Sequence, residues 1–91
     1  MSSKPLRPEE IAAIVAVYYA CGGDIHAHQS VPHIRNKFDK YFRPFAKRIL
    51  EKVARRPERY IQRHRNKNLT YSITLNGIKL LEDMNIVHRR R

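Results

Sequence analysis

The chain has 91 residues, with 19 Lys and Arg against 8 Asp and Glu, and a formal net charge of +11 at pH 7. Its hydrophobic fraction of 42% is enough for one modest core, so a single small domain is expected. No apolar run approaches the roughly 20 residues that a membrane-spanning helix needs. The single cysteine excludes an internal disulfide, and we expect a cytoplasmic protein with no membrane partner.

The positive charge is concentrated in one segment. Residues 40–67 contain 11 Lys and Arg but two acids, Glu51 and Glu58, which gives this segment a net charge of +9. Residues 1–39 are neutral overall, and residues 68–91 carry a net charge of +2. A neutral part joined to a strongly cationic part indicates a surface that contacts a polyanion, of which nucleic acid is the commonest.

The first predicted helix begins at Pro8, which is suited to a first turn. Apolar residues at helical spacing run from Ile11 to Tyr18. The pair Gly22 and Gly23 ends this helix.

Residues 24–29 are predicted to form a loop. A short second helix is expected to begin near Ser30, a good N-cap residue, with Pro32 in its first turn. Backbone N–H groups at a helix N-terminus bind phosphate readily, so Gln29 and Ser30 are candidate contacts to a nucleic-acid backbone. Simple capping by Ser30 is the alternative interpretation.

A third helix is predicted from Phe42 to Ala54, with an apolar stripe on one face. This stripe consists of Phe42, Phe45, Ala46, Ile49, Leu50 and Val53. The opposite face is cationic, and Glu51 is its acidic residue. The candidate DNA contacts on this helix are Arg43, Lys47, Arg48, Lys52, Arg55 and Arg56.

The pattern then changes to strand-like segments at residues 59–65 and 69–74, rich in aromatic, β-branched and long side chains. The polar segment between them predicts a hairpin. Thr74 is then placed to cap a last helix. The candidate contacts on the hairpin are Arg63, Arg65, Asn66, Lys67 and Asn68. Charges that only protect an edge strand are the alternative.

Three helices, a two-stranded hairpin and a C-terminal helix make an α+β protein that is mainly α, with the layout of a winged helix-turn-helix. In this arrangement the third helix enters a DNA groove and the hairpin, or wing, touches the flanking backbone. We expect a tail over residues 1–7, the domain over residues 8–87, and a basic tail over residues 88–91.

The segment from Tyr71 to Leu81 resembles the passage from wing to helix in PadR- and MarR-like winged-helix proteins. The matching residues are Tyr71, Ile73, Thr74, Gly77, Leu80 and Leu81. With the element order, the resemblance covers about residues 8–84. It implies a winged helix that binds duplex DNA, usually as a homodimer.

Self-association is also indicated by a second apolar stripe on the last helix. This stripe, together with the first helix, gives the candidate dimer interface of Tyr18, Leu80, Met84 and Val87. The alternative is that the stripe folds back onto the first helix within one chain.

Metal binding and catalysis receive little support from the sequence. Cys21, His26, His28 and His33 could supply four zinc ligands, but their spacing matches no zinc motif. The acids are scattered, and no nucleophile motif or phosphate-cradling glycine loop is present. We expect no metal, no cofactor and no enzymatic activity.

The leading hypothesis is a homodimeric, nucleoid-associated regulator of transcription that binds double-stranded DNA. The second is a plasmid-partition or nucleoid protein that associates further with itself along DNA. A third is RNA or ribosome binding, which exposed aromatic side chains on the sheet would favour.

Overall fold

The computed structural model describes residues 5–65 and 67–88. Within these ranges the chain forms four α-helices and a three-stranded antiparallel sheet. The elements in chain order are α1 (Pro8–Ala20), β1 (Gln29–Ser30), α2 (Val31–Arg35), α3 (Ala46–Ala54), β2 (Ile61–Arg65), β3 (Leu69–Ile73) and α4 (Leu75–Asp83). The radius of gyration is 12.1 Å, and the predicted α+β class is confirmed.

Helix α1 forms the centre of the core, because its Ala and Val side chains allow other elements to approach closely. Its residues Ala13, Ile14, Ala16 and Val17 are fully buried, and it packs against α2, α3, α4 and β3. The predicted glycine stop is confirmed at Gly22 and Gly23, which have φ of +63° and +73°. No helix in the described ranges is long and apolar enough to cross a membrane.

The sheet has one strand more than the predicted hairpin. Strands β2 and β3 pair as expected, and β1 pairs with the other edge of β3, opposing Ser30 to Thr70. The loop predicted over residues 24–29 was therefore wrong at its last residue, because Gln29 belongs to β1. Two residues are too few to show strand periodicity, and their pairing depends on a strand far along the chain. Ser30 is the N-cap of α2, but its side chain makes no capping hydrogen bond.

The predicted cap of the last helix is confirmed. The Thr74 hydroxyl accepts a hydrogen bond from Gly77 N at 3.1 Å, and its one proton is shared between the carbonyl oxygens of Arg59 at 2.5 Å and Tyr60 at 2.9 Å. Gly77 is buried against the same Tyr60 carbonyl, and a Cβ atom at this position would overlap it. Thr74 and Gly77 thereby fix α4 against the start of β2.

The start of the third helix differs from the prediction. A 3₁₀ turn spans Arg43–Phe45, and the α-helix proper begins at Ala46. A 3₁₀ turn advances about 120° per residue rather than 100°, which changes the direction of the side chains before Ala46. Phe45 is consequently 54% exposed, so its assignment to the buried stripe was wrong. Ala46, Ile49, Leu50 and Val53 are buried as predicted.

The apolar stripe at the end of the chain lies mostly against the same chain. Leu80, Val87 and Tyr18 are partly buried and pack on the core, whereas Met84 is 43% exposed. The ordered packing also begins before residue 8, because Leu6 contacts the core. The arginines at 89–91 in the predicted basic tail lie outside the described residues, as do residues 1–4 of the predicted N-terminal tail.

Candidate nucleic-acid interface

The solvent face of α3 presents four cations. Since Ala46, Ile49, Leu50 and Val53 face the core, helical periodicity directs the intervening residues outward. Lys47, Arg48, Lys52 and Arg55 are exposed, and Glu51 is half-buried among them. No ion pair joins these four cations to a carboxylate within the described ranges. The face therefore offers unneutralised positive charge along the length of the helix.

Arg56 has a different role from the one predicted. Its side chain is 12% exposed, and its Nη1 lies 3.4 Å from Oε2 of Glu10, whose side chain is 2% exposed. Its Nε lies 3.3 Å from Oε1 of Glu58. Glu10 also accepts a hydrogen bond from Arg7 N at 2.8 Å, which caps α1. Arg56 is thus an internal cation that connects the end of α3 to the start of α1, and we remove it from the candidate interface.

Arg43 is half-buried at the 3₁₀ turn. Its Nη2 donates a hydrogen bond to the Phe38 carbonyl oxygen at 3.3 Å, which holds the turn before α3. It contributes positive charge at the N-terminal end of the helix, where a recognition helix approaches bases. Its contact with Phe38 leaves it less able to extend than Lys47 or Arg48.

The hairpin formed by β2 and β3 carries its charge toward the tip. Arg65, Lys67 and Asn68 are exposed, whereas Asn66, the fourth predicted residue at the tip, lies outside the described residues. Arg63 is half-buried and lies opposite Tyr71 in the antiparallel register. The exposed cations at the tip have no carboxylate partner among the described residues.

Three separately predicted regions meet around one surface pocket of about 440 Å³. Ser30 at the N-terminus of α2, Lys47 of α3 and Asn68 at the hairpin tip all line it. Gln29 lies beside Ser30 on β1 and is half-buried. The pairing of β1 with β3 explains the arrangement, because it brings the start of α2 to the hairpin. A continuous surface therefore runs from the start of α2 across α3 to the hairpin.

Tyr71 supports this surface from beneath. It is fully buried, and its hydroxyl has no hydrogen-bond partner among the described residues. Burial raises the pKa of Tyr71 above its ordinary value of 10.0, while the nearby guanidinium of Arg63 lowers it in part. The phenol is therefore neutral at physiological pH and acts as a packing group in the core.

A histidine pair missed at the sequence level joins β3 to its two neighbouring segments. His28 Nδ1 lies 3.0 Å from Thr70 Oγ1, and His64 Nε2 lies 2.8 Å from Ser72 Oγ. The two imidazole rings are in contact, with centroids 5.0 Å apart and ring planes tilted by 31°. The residues are 36 positions apart in sequence, so only the pairing of β1 with β3 could reveal the contact.

The four potential zinc ligands do not form a metal site. Cys21 is buried, with its thiol 3.8 Å from the Tyr71 carbonyl oxygen, and burial raises the pKa of this thiol. His28 is engaged with Thr70, and no group of three or more His, Cys, Asp or Glu side chains within the described ranges is arranged to hold a metal.

Two exposed aromatic side chains beside the start of α3 were also missed. Tyr41 is 76% exposed and Phe45 is 54% exposed, and both line a shallow pocket of about 260 Å³ together with Arg48. Pro44 within the Arg43–Phe45 turn is the sequence signal that could have indicated the break in helical phase.

Comparison of the chain with protein-family models, with curated proteins and with solved structures found no significant match. The functional conclusion consequently depends on the arrangement of the residues described above.

Proposed function

We propose that this protein binds double-stranded DNA through the exposed face of α3 and the β2–β3 hairpin. The observation that carries the proposal is the set of exposed cations at Lys47, Arg48 and Arg55 on the helix and at Arg65 and Lys67 on the hairpin, whose tip residue Asn68 lines one pocket with Lys47. Its cations have no carboxylate partners among the described residues. A helix and a β-hairpin are both shapes that fit DNA grooves.

The element order also supports a winged helix like that of the PadR- and MarR-like proteins, which the sequence resembles. Three helices, with a short β1 between the first two, are followed by β2 and β3, and β1 adds to the far edge of β3. In this proposal α3 is the recognition helix and the β2–β3 hairpin is the wing.

We propose that the protein uses this DNA-binding activity as a homodimeric regulator of transcription. Helices α1 and α4 pack together, and Tyr19 in α1 and Met84 and Ile86 just after α4 are exposed apolar side chains that a second copy could cover. A two-fold dimer would present two recognition helices to half-sites about one DNA turn apart. Light scattering at micromolar concentration should give twice the chain mass, and a mass of 10.8 kDa would contradict the dimer.

The DNA-binding surface is tested by fluorescence anisotropy with a labelled duplex. The double variant Lys47→Gln/Arg48→Gln should weaken binding by at least about tenfold, because both side chains are exposed on the proposed contact face. The matched control Lys37→Gln/Lys79→Gln removes the same charge from exposed positions outside α3 and the wing, and should bind nearly as the parent does. Equal weakening by both pairs would contradict the assigned surface.

The alternative is a partition or nucleoid protein that spreads along DNA with the same surface. The concentration of basic residues on a small domain favours it. Footprinting of a duplex selected from a random pool separates the two: a fixed protected palindrome indicates the regulator, and protection that extends with protein concentration indicates spreading. RNA binding is less favoured, since Tyr71, the tyrosine of the described strands, is buried and cannot stack on bases.

A further inference from the structure

A second basic pocket lies at the other end of the hairpin, where α3 ends and β2 begins. It has a volume of about 360 Å³, and Arg55, Arg56, Arg59, Gln62, Arg63 and Thr74 are among its lining residues. It shares no lining residue with the pocket at the hairpin tip. It is distinct from the pocket at the hairpin tip, although Arg55 on the exposed face of α3 also lines it, and we call it the arginine pocket.

The charges in the arginine pocket are largely unneutralised. Arg56 is engaged by Glu10 and Glu58, but Arg55, Arg59 and Arg63 form no ion pair within the described ranges, and no carboxylate lines the pocket. The Nε atom of Arg63 is buried and has no hydrogen-bond partner among residues 5–65 and 67–88. Buried polar atoms are normally paired, so Arg63 beside this pocket retains hydrogen-bonding capacity that the described residues do not use.

Arg59 occupies its position at a conformational cost. Its φ of +55° lies in the left-handed region that favours glycine. The conformation is held by the Thr74 hydroxyl, which lies 2.5 Å from the Arg59 carbonyl oxygen, and by the Arg59 N–H, which donates to the Arg56 carbonyl oxygen at 3.2 Å. A strained residue at the edge of a pocket points to a functional use of its side chain.

We propose that the arginine pocket binds a phosphoryl group. Planar guanidinium groups form paired hydrogen bonds with the oxygens of phosphate, and three unpaired arginines provide more such donors than one carboxylate could satisfy. The volume of the pocket lies at the lower end of that of small-molecule sites, which suits a phosphate or a small phosphorylated compound. The site does not depend on the DNA-binding proposal, because it would bind free phosphate whether or not α3 contacts DNA.

The test is an NMR titration of the arginine Nε–H signals with inorganic phosphate, at constant ionic strength maintained with chloride. Saturable shifts are expected at Arg55, Arg59 and Arg63. The variant Arg59→Gly should bind phosphate at least about tenfold more weakly while keeping or raising the melting temperature, since glycine relieves the positive φ. Lys79→Gln, an exposed control on α4, should bind as the parent does.

Shifts that fail to saturate and spread over all basic residues would overturn the proposal, as would unchanged phosphate binding by Arg59→Gly. A duplex added to the phosphate-loaded protein then identifies the source of the phosphoryl group. Release of phosphate from the pocket would assign the site to the DNA backbone, and simultaneous binding of phosphate and duplex would assign it to a soluble phosphorylated compound. Either result supports a phosphoryl site.

Discussion

Adjacent residues of the same type have opposite roles at the end of α3. Arg55 is exposed, whereas Arg56 is held by Glu10 and Glu58. Periodicity alone places both near the solvent face, and the carboxylate that buries Arg56 belongs to α1, which packs there only in the folded chain. The role of Arg56 could therefore not be predicted from the sequence, while the exposure of Lys47, Arg48 and Arg55 could.

The pair of variants Arg56→Gln and Arg55→Gln should separate folding from binding. Loss of Arg56 leaves the buried Glu10 without its cation, which should lower the free energy of unfolding by about 2–3 kcal/mol. Loss of the exposed Arg55 should change stability by less than about 0.5 kcal/mol but weaken duplex binding. Urea denaturation and anisotropy measure the two effects. A stability loss in Arg55→Gln equal to that in Arg56→Gln would contradict these roles.

Tyr71→Phe is expected to keep or raise stability at neutral pH, by up to about 1 kcal/mol, because the buried hydroxyl has no described partner. In the parent, burial raises the pKa of Tyr71, so above pH 10.0 the unfolded chain releases its proton first and stability falls as pH rises. The variant lacks this contribution and should lose stability less steeply above pH 10.0. Urea denaturation from pH 7 to 11 measures the stability of the parent and of Tyr71→Phe across this range. A clear destabilisation of the variant at pH 7 would contradict the prediction, because it would reveal a hydrogen bond to this hydroxyl.

At the scale of elements, features with a local cause were predictable. The limits of α1, the end of α3 at Ala54 and the cap at Thr74 follow from proline, glycine and threonine signals close in sequence. Features that depend on residues far apart in sequence were not predictable. The strand Gln29–Ser30 exists because β3 offers a free edge, and the ring contact between His28 and His64 follows from that pairing.

The hairpin should contribute to binding without contributing to folding. The double variant Arg65→Gln/Lys67→Gln changes two exposed side chains and should alter stability by less than about 0.5 kcal/mol. Duplex affinity should fall roughly tenfold, and by a similar factor for unrelated sequences, since these side chains are proposed to contact the backbone. Anisotropy with two unrelated duplexes checks this. Unchanged affinity would remove the hairpin from the interface.

The junction between α4 and β2 should contribute to the stability of the fold through Gly77. A Cβ atom at this position would overlap the Tyr60 carbonyl oxygen and approach Ile73 Cδ1 to 2.8 Å. Gly77→Ala should therefore lower the free energy of unfolding by about 2–3 kcal/mol, although alanine is the better helix former. The matched exposed variant Asn76→Ala tests the loss of one hydrogen bond to the Glu58 carbonyl and should cost about 1 kcal/mol. An unchanged urea midpoint in Gly77→Ala would contradict the close contact.

At the scale of the whole molecule, one core supports the cationic residues of α3 and of the β2–β3 hairpin. Helix α1 lies at the centre of the core, and its Glu10 neutralises one arginine, so the remaining positive charge is left for the outer face of α3 and the hairpin. The charge concentrated at residues 40–67 was evident from the sequence, but its division between an internal ion pair, the exposed cations of α3 and the hairpin, and an arginine pocket became visible only in the fold.

The most direct test of duplex binding through α3 and the wing is the dependence of the association constant on salt. If each protomer neutralises about five phosphates, a dimer should give a slope of roughly −9 for the logarithm of the association constant against the logarithm of salt concentration. The variant Lys47→Gln/Arg48→Gln removes about four of these contacts per dimer and should give a slope of roughly −5. A shallow slope in the parent, or the same slope in the variant, would contradict the account.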